Sequence, residues 1–229
     1  VHPINILLTL VTSLGSVMLP RVSNLLSSGN KKAVNKLHEM SFLVYNLVIF
    51  PMIAGILIVN NDFVQFFLGQ DFQDARYAIA IMVFRMFFIG WTNIMGIQIL
   101  IPHNRNREFM LSTTIPAIFS VGLNLILIPP LGYIGASIVS VVTEGLVWLI
   151  QLYFTSDYLK EVKILPSMLK ILLAAFLMYG ALYFIKTFIN FSSVVNVLIC
   201  SVLGFLVYGG LVLILRILDF QELKSIIKK

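Results

Sequence analysis

Cys200 is the only cysteine in a chain of 229 residues. No internal disulfide can form, and a lone thiol cannot hold a structural zinc. The three histidines, His2, His38 and His103, are far apart in sequence. Each falls near the end of an apolar run, so solvated or interfacial imidazoles are expected, and no metal site. Charge is scarce as well: Asp, Glu, Lys and Arg supply 11% of the residues, against 59% for apolar types. A soluble domain of this size does not hide so much apolar surface behind so few charges. There is no glycine-rich phosphate loop, no HExxH and no serine nucleophile elbow. These absences speak against an enzyme, and no cofactor is expected. Any transport would draw on an ion gradient, the membrane potential or the substrate gradient, not on ATP bound to this chain.

What the sequence does contain is apolar blocks of about 20 residues, the length a helix needs to cross a hydrocarbon core about 30 Å thick. Seven spans are expected, roughly at 4–20, 40–59, 77–101, 109–128, 133–154, 168–188 and 194–215. The runs are continuous, whereas barrel strands would be shorter and would alternate polar with apolar residues. In lipid a continuous apolar run satisfies its own backbone only as a helix. The predicted fold class is therefore all-α: a polytopic membrane helix bundle. Thirteen of the 16 Lys and Arg fall on one side: Arg21, Lys31, Lys32 and Lys36, then Arg105 and Arg107, then Lys160 and Lys163 with Lys170 just inside the next span, and finally the tail from Arg216. By the positive-inside rule that side is the cytoplasm, and the C-terminus lies there. The formal net charge of +6 is thus a topological signal, and no nucleic-acid partner is expected. An odd number of spans beginning almost at Val1 suggests the later portion of a longer transporter-like chain.

Pro51 and Pro116 fall inside spans and are expected to kink them, while Pro20, Pro102 and Pro129-Pro130 mark span ends and Pro166 opens a helix. Gly132 and Gly135 read as a tight turn, a close helix approach, or both. Lys170 and Lys186 read as anchors reaching the two interfaces. The basic stretch from Arg21 to Met40 reads as a surface helix on the inner leaflet or as a solvated loop. Phe63 to Leu68 reads as an interfacial or re-entrant piece.

Polar residues at membrane depth are the candidate site. A charge at the centre of a bilayer helix costs about 2.5–3.5 kcal/mol or more, so it usually faces a cavity or a partner. Arg85 lies within the third span and Glu144 near the middle of the fifth. They are expected to line, or pair across, a water-filled chamber. Arg85 would attract an anionic group such as a lipid phosphate, and Glu144 would respond to a proton or a cation. A purely stabilising ion pair, or Arg85 reaching outward, would account for them equally. Asn93 and Gln98 in the third span and Asn124 in the fourth are candidates for hydrogen bonding to sugar hydroxyls. They serve as well as helix-to-helix glue, as do Thr143 and Gln151.

Several phrases resemble one family. They are Val17-Met-Leu-Pro20-Arg21-Val-Ser23, Ile49-Phe50-Pro51-Met-Ile-Ala-Gly55, Ile89-Gly90-Trp-Thr-Asn93-Ile-Met-Gly96-Ile-Gln98, and Leu123-Asn124 through Pro129-Pro-Leu-Gly132-Tyr-Ile-Gly135-Ala136-Ser137. Over about residues 10–150 the chain resembles the polysaccharide-transporter branch of the MOP superfamily, and within it the Wzx-type oligosaccharide flippases. The resemblance implies the C-terminal bundle of a MATE-like fold with about 14 spans, completed by an N-terminal half. It also implies an undecaprenyl-diphosphate-linked oligosaccharide as substrate, turned over by alternating access across a bacterial cytoplasmic membrane for surface polysaccharide synthesis. Membrane lipids and a coupling ion, H+ or Na+, are the further implied partners. Alternatives are a lipid II flippase or a MATE-type cation-coupled drug antiporter, and more remotely a seven-helix receptor. A glycan polymerase would need larger outer loops. The receptor lacks an extracellular cysteine pair, and the last span offers no lysine for a retinal Schiff base.

Overall fold

The structure, a computed structural model, describes residues 18–188 and 192–218. Most of the first expected span, His2 and the tail lysines lie outside the described residues. After a helical stretch at 18–27, the elements are α1 (Lys31–Phe67), a 3-10 turn (Gln70–Phe72), α2 (Ala75–Met82), α3 (Arg85–Asn93), a π-helical segment (Ile94–Leu100), α4 (Asn106–Leu159), α5 (Leu165–Phe188) and α6 (Ser193–Ile214). Among the described residues five stretches are long and apolar enough to cross a membrane: Lys31–Phe67, Ala75–Leu100, Asn106–Leu159, Leu165–Phe188 and Ser193–Ile214. The longest is two spans in one, because Gly132 leaves helical geometry at φ 53° and ψ −130°. The chain is an all-α, polytopic membrane bundle: the second span is α1, the third is α2 and α3 with the π-helical segment, the fourth and fifth are the two arms of α4, and the sixth and seventh are α5 and α6.

The Gly132 turn folds α4 into a hairpin. Ser112 meets Gln151 at 3.1 Å. Nearer the turn, a Cβ on Gly135 would run into the Leu127 carbonyl. Both readings of these glycines hold: Gly132 adopts a backbone that side chains disfavour, and Gly135 lets the arms touch. Pro129 and Pro130 sit just before the turn.

The chain divides into two compact units, Val1–Ile49 with Asp74–Ile164, and Phe50–Gln73 with Leu165–Lys229. In the first, α1 runs antiparallel to the third span: Ser41 bonds Gln98, Asn46 bonds Trp91, and Tyr45 donates to the Met86 carbonyl. The third span runs parallel to the second arm of α4. Asp74 meets Tyr133 and Arg85 meets Glu144, both at a separation of 59 residues. Successive crossings of a membrane produce this alternation. Three connections rich in basic residues meet at one end of the unit. Asn35 Nδ2 donates to Glu161 at 2.8 Å, the Lys163 N–H to Glu39 at 3.0 Å, and Arg105 Nη1 to the Phe154 carbonyl at 2.6 Å.

In the second unit α5 packs on α6 through Gly204, where a Cβ would lie 3.3 Å from Leu182. Ile171, Ala174, Met178 and Leu182 are buried there. Lys186, expected as an interfacial anchor, instead pairs with buried Asp62 at 2.5 Å and donates to the Ile58 carbonyl at 2.8 Å. Asn196 donates to the same carboxylate at 3.1 Å.

Other expectations need correction. The stretch 21–40 is not one surface helix. A turn at Gly29 (φ 71°) reverses the chain, and Val22 buries itself against Val34 and Leu37. Phe63 to Phe67 is the end of α1, not a re-entrant piece. α1 has 37 residues, so it is about 55 Å long at 1.5 Å per residue and outruns the lipid it crosses. Pro51 lies inside α1 and Pro116 inside the first arm of α4, the within-span positions read from the sequence. The third span breaks without proline, at Val83 and Phe84. There the Phe84, Met86 and Phe87 N–H groups bond three residues back, tightening the helix.

Candidate functional site

Arg85 restarts the helix after that break. Its Nη2 lies 2.9 Å and its Nε 3.2 Å from the same Glu144 oxygen, Oε1. The pair is partly open, with side-chain exposures of 32% for Arg85 and 21% for Glu144. Pairing offsets the cost of carrying either charge at membrane depth. Because one carboxylate oxygen takes both bonds, the guanidinium keeps further N–H donors for another oxygen anion.

One helical turn onward stands an aromatic cluster. Phe88 is three residues after Arg85 and Trp148 four after Glu144, so each shares a helix face with its charge. Their ring centroids are 5.7 Å apart, and Phe87 and Trp91 complete the group at 6.1 and 6.2 Å from Trp148. Phe88 packs over Gly145, where a Cβ would meet its Cζ at 3.6 Å, an ordinary van der Waals contact. α1 braces this face: Trp91 donates its indole N–H to Asn46 at 3.0 Å, and the Tyr45 ring occupies the space where Gly90 would carry a Cβ. The Trp148 indole N–H is buried with no acceptor.

Gln98 belongs to a separate buried network. Pro102 cannot give the Gln98 carbonyl its usual donor four residues on. His38 Nε2 fills that place at 3.1 Å, which requires the Nε2–H tautomer, and Ser41 donates to the Gln98 side chain at 2.7 Å. Gln98 lies within the π-helical segment, where the Ile101 N–H bonds the Gly96 carbonyl five residues back at 3.1 Å. The expectation of solvated or interfacial histidines fails at His38, which is 1% exposed. His103, half-buried, bonds the Ile99 carbonyl at 2.7 Å.

The structure therefore brings Arg85 and Glu144 together and holds Gln98 elsewhere. Asn93 and Asn124 are half-buried, and no hydrogen bond joins either to the ion pair. Gln151 bonds Ser112, and Thr143 bonds the Val139 carbonyl, as helix glue would. Sequence reasoning missed the aromatic cluster. The three- and four-residue spacing from the two charges is visible in the sequence, but spacing alone does not separate such a cluster from lipid-facing aromatics. Among the described residues no three His, Cys, Asp or Glu side chains gather as a metal site would.

The pattern of the family Lipid II flippase MurJ matches residues 5–204. An uncharacterized membrane protein of Methanocaldococcus jannaschii is 27% identical over 226 residues, covering 99% of this chain and 44% of that protein. The Haloferax volcanii protein named "Probable low-salt glycan biosynthesis flippase Agl15" is 21% identical over 188 residues, covering 82% of this chain and 39% of its own. A solved structure of lipid II flippase MurJ in an inward closed conformation superposes with TM-score 0.76 at 18% identity, over 92% of this chain and 44% of that one. At that identity the likeness speaks for the fold. The chain spans less than half the length of each of these relatives. With 5–204 matched, the chain belongs to the MurJ family of the MOP-superfamily flippases.

Proposed function

We propose that the chain forms part of a flippase that moves a lipid-linked, diphosphate-bearing oligosaccharide across a cytoplasmic membrane by alternating access. The observation that carries this is the partly open Arg85–Glu144 pair in a chain of the MurJ family. Arg85 holds donors that match a diphosphate, and Glu144 occupies it until that anion arrives. When a diphosphate takes Arg85, Glu144 loses its counter-ion at membrane depth, which favours uptake of H+ or Na+. Substrate entry and ion coupling would thus share one residue. The rest of the longer transporter would supply further cations for a substrate carrying more charge than one guanidinium balances. The basic connections and the C-terminus would face the cytoplasm.

The Wzx-type reading names an undecaprenyl-linked repeat unit for surface polysaccharide. A second reading, lipid II as the cargo, is favoured by the name of the matched family. The Haloferax relative's name points toward glycan synthesis. Both curated relatives are archaeal, so a bacterial host rests on the sequence resemblance alone. The drug antiporter and the seven-helix receptor gain no support from these similarities.

The test is Arg85→Ala in the full-length transporter, with lipid-linked glycan counted on each leaflet. A charge-assisted hydrogen bond contributes about 1.5–3 kcal/mol, so export should fall roughly tenfold to a hundredfold. Export at the unmutated rate would remove Arg85 from the mechanism.

A further inference from the structure

We infer that the Phe88–Trp148 platform is a sugar subsite that receives the first pyranose ring of the lipid-linked glycan while Arg85 holds its diphosphate. This rests on the flippase reading and extends it to where the sugar sits.

Phe88 and Trp148 lie one helical turn, about 5.4 Å, from Arg85 and Glu144 on the same faces of their helices. A hexose ring stands next to the phosphate on its anomeric carbon, so a diphosphate on Arg85 carries its sugar to these rings. A pyranose has an apolar C–H face and a rim of oxygens. An aromatic face beside an N–H donor complements both, since tryptophan joins an apolar body to a polar edge. Phe88 and Trp148 are both only half-buried. Their tilt of 53° leaves two differently oriented faces, not one closed stack.

The two indoles differ in a way that matters. Trp91 is anchored to Asn46 at 3.0 Å, and turning it would break that bond. The Trp148 N–H has no acceptor, so turning it breaks none, and a sugar oxygen would supply the partner it lacks. Other occupants fit less well. A cationic drug would suit aromatic faces but not a guanidinium one turn away. An acyl chain would suit the rings but gains nothing from an adjacent ion pair or an unpaired N–H.

The test compares two probes on the full-length transporter in lipid nanodiscs: a prenyl diphosphate carrying an oligosaccharide, and the same prenyl diphosphate without sugar. Trp148→Leu should weaken binding of the sugar-bearing probe about tenfold and leave the sugar-free probe unchanged. Trp148→Phe keeps a ring and loses the donor, and should fall between. Phe88→Leu, altering the opposite ring, should repeat the pattern and guards against a folding defect peculiar to position 148. Equal loss for both probes, or no loss for either, overturns the subsite. Arg85→Gln separates the two levels of the argument by weakening both probes alike. If neither probe binds the unmutated protein, the flippase reading itself falls.

Discussion

Single residues decide how close α1 comes to α3. Gly90 sits under Tyr45, whose ring fills the space a Cβ would take, and the Tyr45 hydroxyl donates to the Met86 carbonyl. Gly90→Ala should therefore destabilise the protein by roughly 1–3 kcal/mol, the usual range for overpacking a tight contact. In a Tyr45→Leu background the same change should cost markedly less, because the obstructing ring is gone. Thermal unfolding of the four variants in detergent measures the difference, and equal costs in both backgrounds would deny the contact. Arg85 and Glu144 could be found from sequence because a charge inside an apolar run stands out. Tyr45, Phe88 and Trp148 could not, since an aromatic among apolar residues looks the same whether it faces lipid, core or ligand. Only the pairing of helices tells these cases apart. The Arg85–Glu144 pair, partly exposed, should show a coupling on the order of 1 kcal/mol in a double-mutant cycle of Arg85→Gln and Glu144→Gln.

Whole elements were legible where hydrophobic length alone defines them. The spans at 109–128 and 133–154 emerge as the two arms of α4, and Gly132 announced the turn between them. Helix ends were less legible, as α1 shows. Apolar runs mark what lipid covers, while backbone hydrogen bonding continues into polar sequence. The break at Val83 left no sequence mark, because no proline or glycine pair accompanies it; the π-helical segment has Pro102 just beyond it, but tertiary partners hold it. His38 is one of those partners. If its N–H replaces the donor that Pro102 lacks, His38→Ala should cost about 1–3 kcal/mol by stranding the buried Gln98 carbonyl. Pro102→Ala restores a backbone N–H at that position. The loss from His38→Ala should then shrink in the Pro102→Ala background, and a chemical-denaturation cycle reads the shift. Strictly additive costs would mean that His38 stabilises the region some other way.

At the scale of the molecule, the direction of every crossing is a single connected claim. Hydrogen bonds gather the loops near residues 35, 105 and 161 at one end of the first unit, and Asp74 and Tyr133 meet at the other. The charge pattern of the sequence predicts the same grouping, since lysines and arginines resist translocation. The native Cys200 is buried, and replacing it by serine leaves a thiol-free background among the residues of this chain. Single cysteines placed there at Ser28, Arg107 and Lys160 should react with a membrane-impermeant maleimide only from the cytoplasmic face. Cysteines at Asp74 and Leu131 should react only from the opposite face. All five positions are exposed in the structure, and labelling after permeabilisation would separate membrane side from burial. The relation among sites is the decisive readout. If all five reversed together, the fold would stand and the charge rule would have misassigned the cytoplasm. If Ser28 and Arg107 labelled from different faces, the antiparallel pairing of α1 with the third span could not exist across a bilayer, and a mid-membrane Arg85–Glu144 site would go with it.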